Sequence, residues 1–288
     1  MRMALKAMAA ALISSLAYGC AQPAPAPPQP VAAKPVKPIA VKPANNPEDV
    51  LDHFVCYTFK QKTFTAPGGI ALSDQFYELE QKTTVLTREL LCNPASKKHN
   101  PSDPFPDEKH ADAHLVCYKT EGPNAGLQVK ISNQIQTNAV MPVGRERYLC
   151  LPSGKQYVRR GQKPPERPPS IPANGILDHF KCYDLAGKTI PNKYFNWKDE
   201  FTETVFKHDI AAELICNPTE KHREGEKPVP PSFSFAHLVC YSLFTLERFG
   251  RDVKIANQFE TPAQLLTVNE VPRFLCVPST KEIAEDTP

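Results

Sequence analysis

From residue 51 onward, apolar side chains recur with a period of two in short runs that stop at proline or glycine, which is the pattern of β-strands buried on at least one face. In the run His53-Phe54-Val55-Cys56-Tyr57, alternation puts Phe54 and Cys56 on one face and His53, Val55 and Tyr57 on the other. A later run places Phe195, Trp197, Asp199 and Phe201 together, and another groups Val253, Ile255, Asn257 and Phe259. An Asp or Asn on such an apolar face must find hydrogen-bond partners, so it is expected to satisfy a bend or bulge in the backbone. Lys181 stands where the first run has Val55, which predicts that the second face is at least partly solvated. No long apolar repeat of period 3.6 interrupts these runs.

The runs belong to a repeat. His53-Phe54-Val55-Cys56-Tyr57 returns as His114-Leu115-Val116-Cys117-Tyr118, His179-Phe180-Lys181-Cys182-Tyr183 and His237-Leu238-Val239-Cys240-Tyr241. About eighteen residues past each cysteine comes a triplet: Asp74-Gln75-Phe76, Asn133-Gln134-Ile135, Asp199-Glu200-Phe201 or Asn257-Gln258-Phe259. Each copy closes on Leu91-Cys92-Asn93-Pro94 or its counterparts ending at Pro152, Pro218 and Pro278. Copies one and three share Cys-Asn-Pro, whereas copies two and four share Ala-His-Leu-Val-Cys-Tyr and a Pro-Ser-x-Lys ending, so a pair of units has been duplicated.

The expected fold class is therefore all-β: two tandem disulfide-stabilised small β-sandwich or barrel-like domains, each a pair of homologous two-cysteine β units. The first domain spans 50–156 (units 51–98 and 113–155) and the second 176–281 (units 177–221 and 236–281). A Pro-rich linker, 157–175, separates them, and an acidic tail covers 282–288.

A unit of about 40 residues buries too little surface to be stable alone. Pairing and cross-linking of the eight matched cysteines would compensate. Four cysteines per domain allow three connectivities. The bond within each unit (Cys56 to Cys92, Cys117 to Cys150, Cys182 to Cys216, Cys240 to Cys276) is favoured because each unit carries its own pair. Closing a loop of about 35 residues stabilises by roughly 3–4 kcal/mol on the chain-entropy view. Zinc is the competing use, but a His three residues before a Cys in a strand points to the opposite face, and there is no C-x-x-C knuckle. No metal and no cofactor is expected.

Ahead of the repeats, Arg2 and Lys6 precede an apolar segment, Ala7 to Leu16, as in an export signal over residues 1–20. Leu16-Ala17-Tyr18-Gly19-Cys20 resembles a bacterial lipobox with the leucine one place too early, so Cys20 fits either lipidation or plain signal cleavage nearby. A Pro/Ala/Lys-rich stretch at 21–49 reads as an extended disordered stalk. Residues 1–47 hold five cations and no acid, and removing these from the formal +3 leaves −2 on the remainder. Such a near-neutral body lacks the basic face that a nucleic-acid binder needs. The expected location is outside the cytoplasm: outer membrane, cell surface or periplasm as a lipoprotein, or secreted. Contact with a membrane is expected only through that N-terminal anchor, and the expected state is a monomer.

The motif series H-x-x-C-Y, D/N-Q-F and L-C-x-P resembles an uncharacterised domain found as tandem copies in secreted bacterial proteins and lipoproteins. The resemblance covers residues 51–281 and implies the tandem architecture; the family carries no assigned activity, so it implies no mechanism. The third copy departs from it with Glu200 in place of Gln. The remaining histidines, His99, His110, His208 and His222, lie in polar surroundings and suit solvated roles. There is no nucleophile elbow, H-E-x-x-H, phosphate loop or dinucleotide fingerprint, so no catalytic residue is assigned. The expectation is a non-catalytic exported module that binds an extracellular protein or glycan through the outward side of the opening strands (His53, Tyr57, His114, Tyr118, His179, Tyr183, His237, Tyr241). A structural envelope lipoprotein and a hydrolase with a site between units are the alternatives.

Overall fold

In the computed structural model, the described residues are 46–98, 102–159, 161–223, 227–243 and 248–284. The signal segment, Cys20, most of the stalk, His99 and the end of the tail lie outside them. Among the described residues, one helical turn, α1 (Pro47–Val50), precedes thirteen strands that form a single antiparallel sheet.

Each unit contributes an opening strand, carrying H-x-x-C-Y, and a closing strand, carrying L-C-x-P. The opening strands are β1 (His53–Thr58), β4 (His114–Glu121), β7 (His179–Leu185) and β10 (His237–Ser242). The closing strands are β3 (Tyr77–Lys98), β6 (Ala139–Val158), β9 (Glu203–Arg223) and β13 (Phe274–Ile283). The two motifs pair in identical register in all four units, with the cysteines directly opposed: Cys56 with Cys92, Cys117 with Cys150, Cys182 with Cys216 and Cys240 with Cys276. Each opposed pair is a disulfide. The chain therefore belongs to an oxidising environment.

Between units, β3 pairs β4, β6 pairs β7, β9 pairs β10 and β13 returns to β1. The eight strands close into one barrel. This differs from the two separate domains expected, and both halves belong to one compact unit. The reason is the edge: a pair of units supplies only four barrel strands and would leave two unpaired edges, whereas four units close the ring. The Pro-rich linker is held against the body, with Lys254 Nζ donating to the carbonyls of Pro165, Glu166 and Arg167.

Inside the barrel sit the residues of the cysteine face: Phe54, Leu115, Phe180 and Leu238 at one level, the sulfurs at the next, and Leu90, Tyr148, Leu214 and Phe274 beyond. Sulfurs of adjacent disulfides approach to 3.7 Å (Cys56 and Cys276), 4.0 Å (Cys92 and Cys117) and 3.8 Å (Cys150 and Cys182). These side chains and sulfurs take up the bore, as the interior of an eight-stranded barrel is just wide enough for side chains to fill.

The outer face of the barrel is covered as well. Four further strands complete hairpins with the closing strands: β2 (Ile70–Asp74), β5 (Asn124–Ser132), β8 (Thr189–Asp199) and β11 (Phe249–Ala256), the last through β12 (Gln264–Asn269). Past its proline each closing strand leaves the barrel and pairs with the hairpin two units along: β3 with β8, β6 with β11, β9 with β2 and β13 with β5. Pro94, Pro152, Pro218 and Pro278 each lie beyond the last residue paired to the next unit, where a missing N–H costs no ladder bond on that side. The larger core cluster, including Val55, Val116, Val239 and Trp197, fills the space between barrel and hairpins.

Candidate functional site

The repeated polar residues converge at four equivalent places between the barrel and its cover. At each, the motif tyrosine of one unit meets the Asp/Asn of the triplet two units along. Tyr57 Oη donates to Asp199 Oδ2 at 2.9 Å, and Tyr183 Oη to Asp74 Oδ2 at 2.8 Å. Asn257 Nδ2 donates to Tyr118 Oη and Asn133 Nδ2 to Tyr241 Oη, both at 3.0 Å. The other carboxyl or amide oxygen accepts backbone N–H groups two or three residues on, as Asp199 Oδ1 does from Phe201 and Thr202 and Asn257 Oδ1 from Phe259 and Glu260. The Asp/Asn thus fixes the bend after each middle strand.

All four tyrosines are 0% exposed. His114 and His237 are buried, and His53 and His179 half-buried. The expected binding face on the opening strands is therefore corrected: these side chains do point away from the cysteines, but the hairpins of distant units close over them. Burial first, and the facing carboxylates second, push the phenols of Tyr57 and Tyr183 above their usual range. Burial, with a neighbouring lysine, pushes His114 and His237 well below theirs and His179 down to about 4. These groups stay neutral across the physiological range.

Lys181 is also placed otherwise than expected. It is 0% exposed, with Nζ 3.1 Å from Glu146 Oε2 and over the rings of Tyr77 and Tyr183. Its face is not solvated; a carboxylate and two rings replace the water. A second buried pair joins Arg88 Nε to Glu260 Oε1 at 2.6 Å, and Tyr118 Oη donates to the same carboxylate.

The clusters differ in what completes them. At the two Asp sites the asparagine of C-x-P donates to the carboxylate: Asn93 Nδ2 to Asp199 Oδ2 at 2.9 Å and Asn217 Nδ2 to Asp74 Oδ2 at 3.3 Å. A lysine then donates to the same asparagine, Lys155 Nζ to Asn93 Oδ1 at 2.7 Å and Lys281 Nζ to Asn217 Oδ1 at 2.8 Å. At the two Asn sites a serine takes this place, Ser153 beside Asn257 and Ser279 beside Asn133.

Sequence reasoning missed these lysines, although a signal was present: Lys97, Lys155, Lys221 and Lys281 each fall five residues after a closing cysteine. Three of the four lie over the aromatic ring of a triplet, Lys155 over Phe201, Lys281 over Phe76 and Lys221 over Phe259. Burial lowers the amine of Lys155, against the pull of Glu200, and brings that of Lys281 down to about 7. Burial also raises the carboxyl of Asp199, opposed by the hydrogen bonds from Asn93 and Tyr57. With every repeated sulfur in a disulfide, no thiolate is left in the motifs to ligate a metal. Comparison of the chain with protein-family models, with curated proteins and with solved structures finds no match.

Proposed function

We propose that the protein is a non-catalytic exported module, tethered through Cys20 or released, that binds an extracellular protein or glycan with the outside of its hairpins. One observation carries this reading: the repeated His, Tyr, Asp/Asn and Cys residues are spent on the interior, which leaves the hairpin surface as the part free to meet a ligand. That surface carries exposed apolar residues, among them Leu79, Val140, Val205 and Leu265, each near the start of a closing strand or its β12 counterpart. Four disulfides and a closed barrel suit display in an oxidising compartment. No helix among the described residues is long and apolar enough to cross a membrane, and a lipid carried on Cys20 would tether the body at a membrane surface without embedding it.

The test is retention of the purified protein on cell-wall polysaccharide, on a glycan array and on exported proteins of the same cell. Retention should survive Tyr57→Phe and fall at least tenfold when Leu79, Val140, Val205 and Leu265 are changed together to Asp. Retention on none of the three supports, or retention indifferent to the surface substitutions, would contradict the reading.

A further inference from the structure

Two of the four clusters bring together a buried amine, a carboxamide and a carboxyl group in a hydrogen-bonded line. Lys155 Nζ (β6) touches Asn93 Oδ1 (β3) at 2.7 Å, and Asn93 Nδ2 touches Asp199 Oδ2 (β8) at 2.9 Å. Lys281 (β13), Asn217 (β9) and Asp74 (β2) repeat the line at 2.8 and 3.3 Å. We propose that Lys155 and Asn93, and again Lys281 and Asn217, are joined by intramolecular amide cross-links, each formed with loss of one ammonia.

The chemistry is a transamidation. The Lys155 amine adds through its lone pair to the Asn93 carboxamide carbon, making the new C–N bond. Its surplus proton passes by way of the Asp199 carboxyl to Asn93 Nδ2, the old C–N bond breaks, and ammonia departs. One primary amide and one amine become one secondary amide and one ammonia, with no oxidant, reductant or cofactor consumed.

At the Lys155 line the surroundings favour each requirement of that step, and the Lys281 line shares the buried amine and the ring against it. The amine must be neutral to attack, and burial works in that direction at both lysines. Glu200 Oε2, 2.6 Å from Lys155 Nζ, is placed to take the proton that leaves the ammonium. The carboxyl must carry a proton to assist the leaving group, and burial pushes Asp199 that way. Phe201 and Phe76 lie against the two amines at 4.3 and 4.1 Å to their ring centres and exclude water. Holding amine and amide in contact converts a slow bimolecular reaction into a unimolecular one.

The fold supplies its own control. At the Asn257 and Asn133 clusters, Lys221 and Lys97 occupy the equivalent positions, but Leu151 and Val277 replace the acceptor asparagine and Asn replaces the acid. Two of the three reacting groups change together while the lysine stays, and Lys97 Nζ instead donates to the exposed carboxamide of Gln134 at 2.7 Å, beside Asn133 rather than an acid. Asn93 and Asn217 also precede Pro94 and Pro218, which lack the backbone N–H through which asparagine ordinarily cyclises. Loss of ammonia at either residue therefore reports an external nucleophile.

The experiment is peptide mapping by mass spectrometry of the full-length protein, matured at neutral pH, then reduced, alkylated and digested. The expected result is a branched peptide joining the Asn93 and Lys155 segments and another joining Asn217 and Lys281, each lighter by one ammonia than its two parts. Lys97 and Lys221 should appear only in linear peptides. Lys155→Arg, which keeps the charge, should abolish the first link and leave the second. Asp199→Asn, which copies the acid-free clusters, should do the same. Linear peptides alone at Asn93 and Asn217 in the wild type would overturn the proposal, as would a first link that persists undiminished in either variant.

Discussion

The inside of the barrel and the layer that wraps it are built from the same four repeats, yet they obey different rules. Inside, every unit supplies a disulfide and two apolar neighbours at matching levels. Outside, equivalent places hold Val55, Val116, Lys181 and Val239, or an Asp with Asn at two clusters and an Asn with Ser at the others. The interior is shared by all units around one axis, so a change in one must fit the other three. Each outer cluster is closed by a different hairpin and can diverge as long as its own polar groups remain paired. The differences then also distinguish one unit's place from another's, since a shifted arrangement would leave Lys181 or Arg88 without its carboxylate.

Removing one member of a buried outer pair should have the largest effect. Lys181→Ala leaves Glu146 charged in the core and should destabilise by about 3–5 kcal/mol in urea unfolding. Lys181→Val, which restores the side chain of the other units, combined with Glu146→Gln, which removes the orphaned charge, should recover most of that loss. If the single and double variants were equally destabilised, the pair would not be the cause.

An interior disulfide should come next. Replacing Cys56 and Cys92 together by Ala should cost roughly 3–4 kcal/mol, and the same exchange in any other unit should cost a similar amount. A spread of several kcal/mol among units would contradict the equivalence of the interior.

Acid should separate the layers further. The unfolded chain protonates its histidines below about pH 6.5, whereas His179 resists protonation down to about 4. The histidine contribution to stability is therefore complete above about pH 6.5 and falls as the pH drops toward about 4, with His179 alone contributing roughly 3 kcal/mol. His179→Gln should flatten this part of the pH–stability curve; an unchanged slope would place the acid sensitivity elsewhere.

The smallest effect distinguishes the clusters themselves. Tyr57→Phe removes a hydroxyl from a carboxyl partner and should cost about 1.5 kcal/mol, whereas Tyr241→Phe, facing an amide, should cost about 1 kcal/mol. Denaturant midpoints at unchanged m-value would resolve the two.

Much of the interior was legible in the sequence because its determinants are local. Each unit carries both cysteines, and alternation in His53 to Tyr57 places Cys56 opposite to Tyr57. The outer layer was not legible, because its partners lie far along the chain: Tyr57 meets Asp199, and Lys155 meets Asn93. Lys181 was misleading for the same reason; a lysine at a strand position reads as exposed until Glu146 and Tyr77 are brought beside it. The bend-forming role of Asp199 could be inferred from its apolar neighbours, but not the tyrosine that completes its hydrogen bonding. Barrel closure escaped because no local pattern says which unit β13 will pair with.

Whether the four units form one closed ring is tested most directly by cutting the connection between the halves. A protease site placed in the exposed stretch around Gln162 and cleaved in the native protein should leave both fragments in one particle on size-exclusion chromatography, unfolding in a single calorimetric transition. Two separable folded fragments, each with its own transition, would contradict the shared barrel.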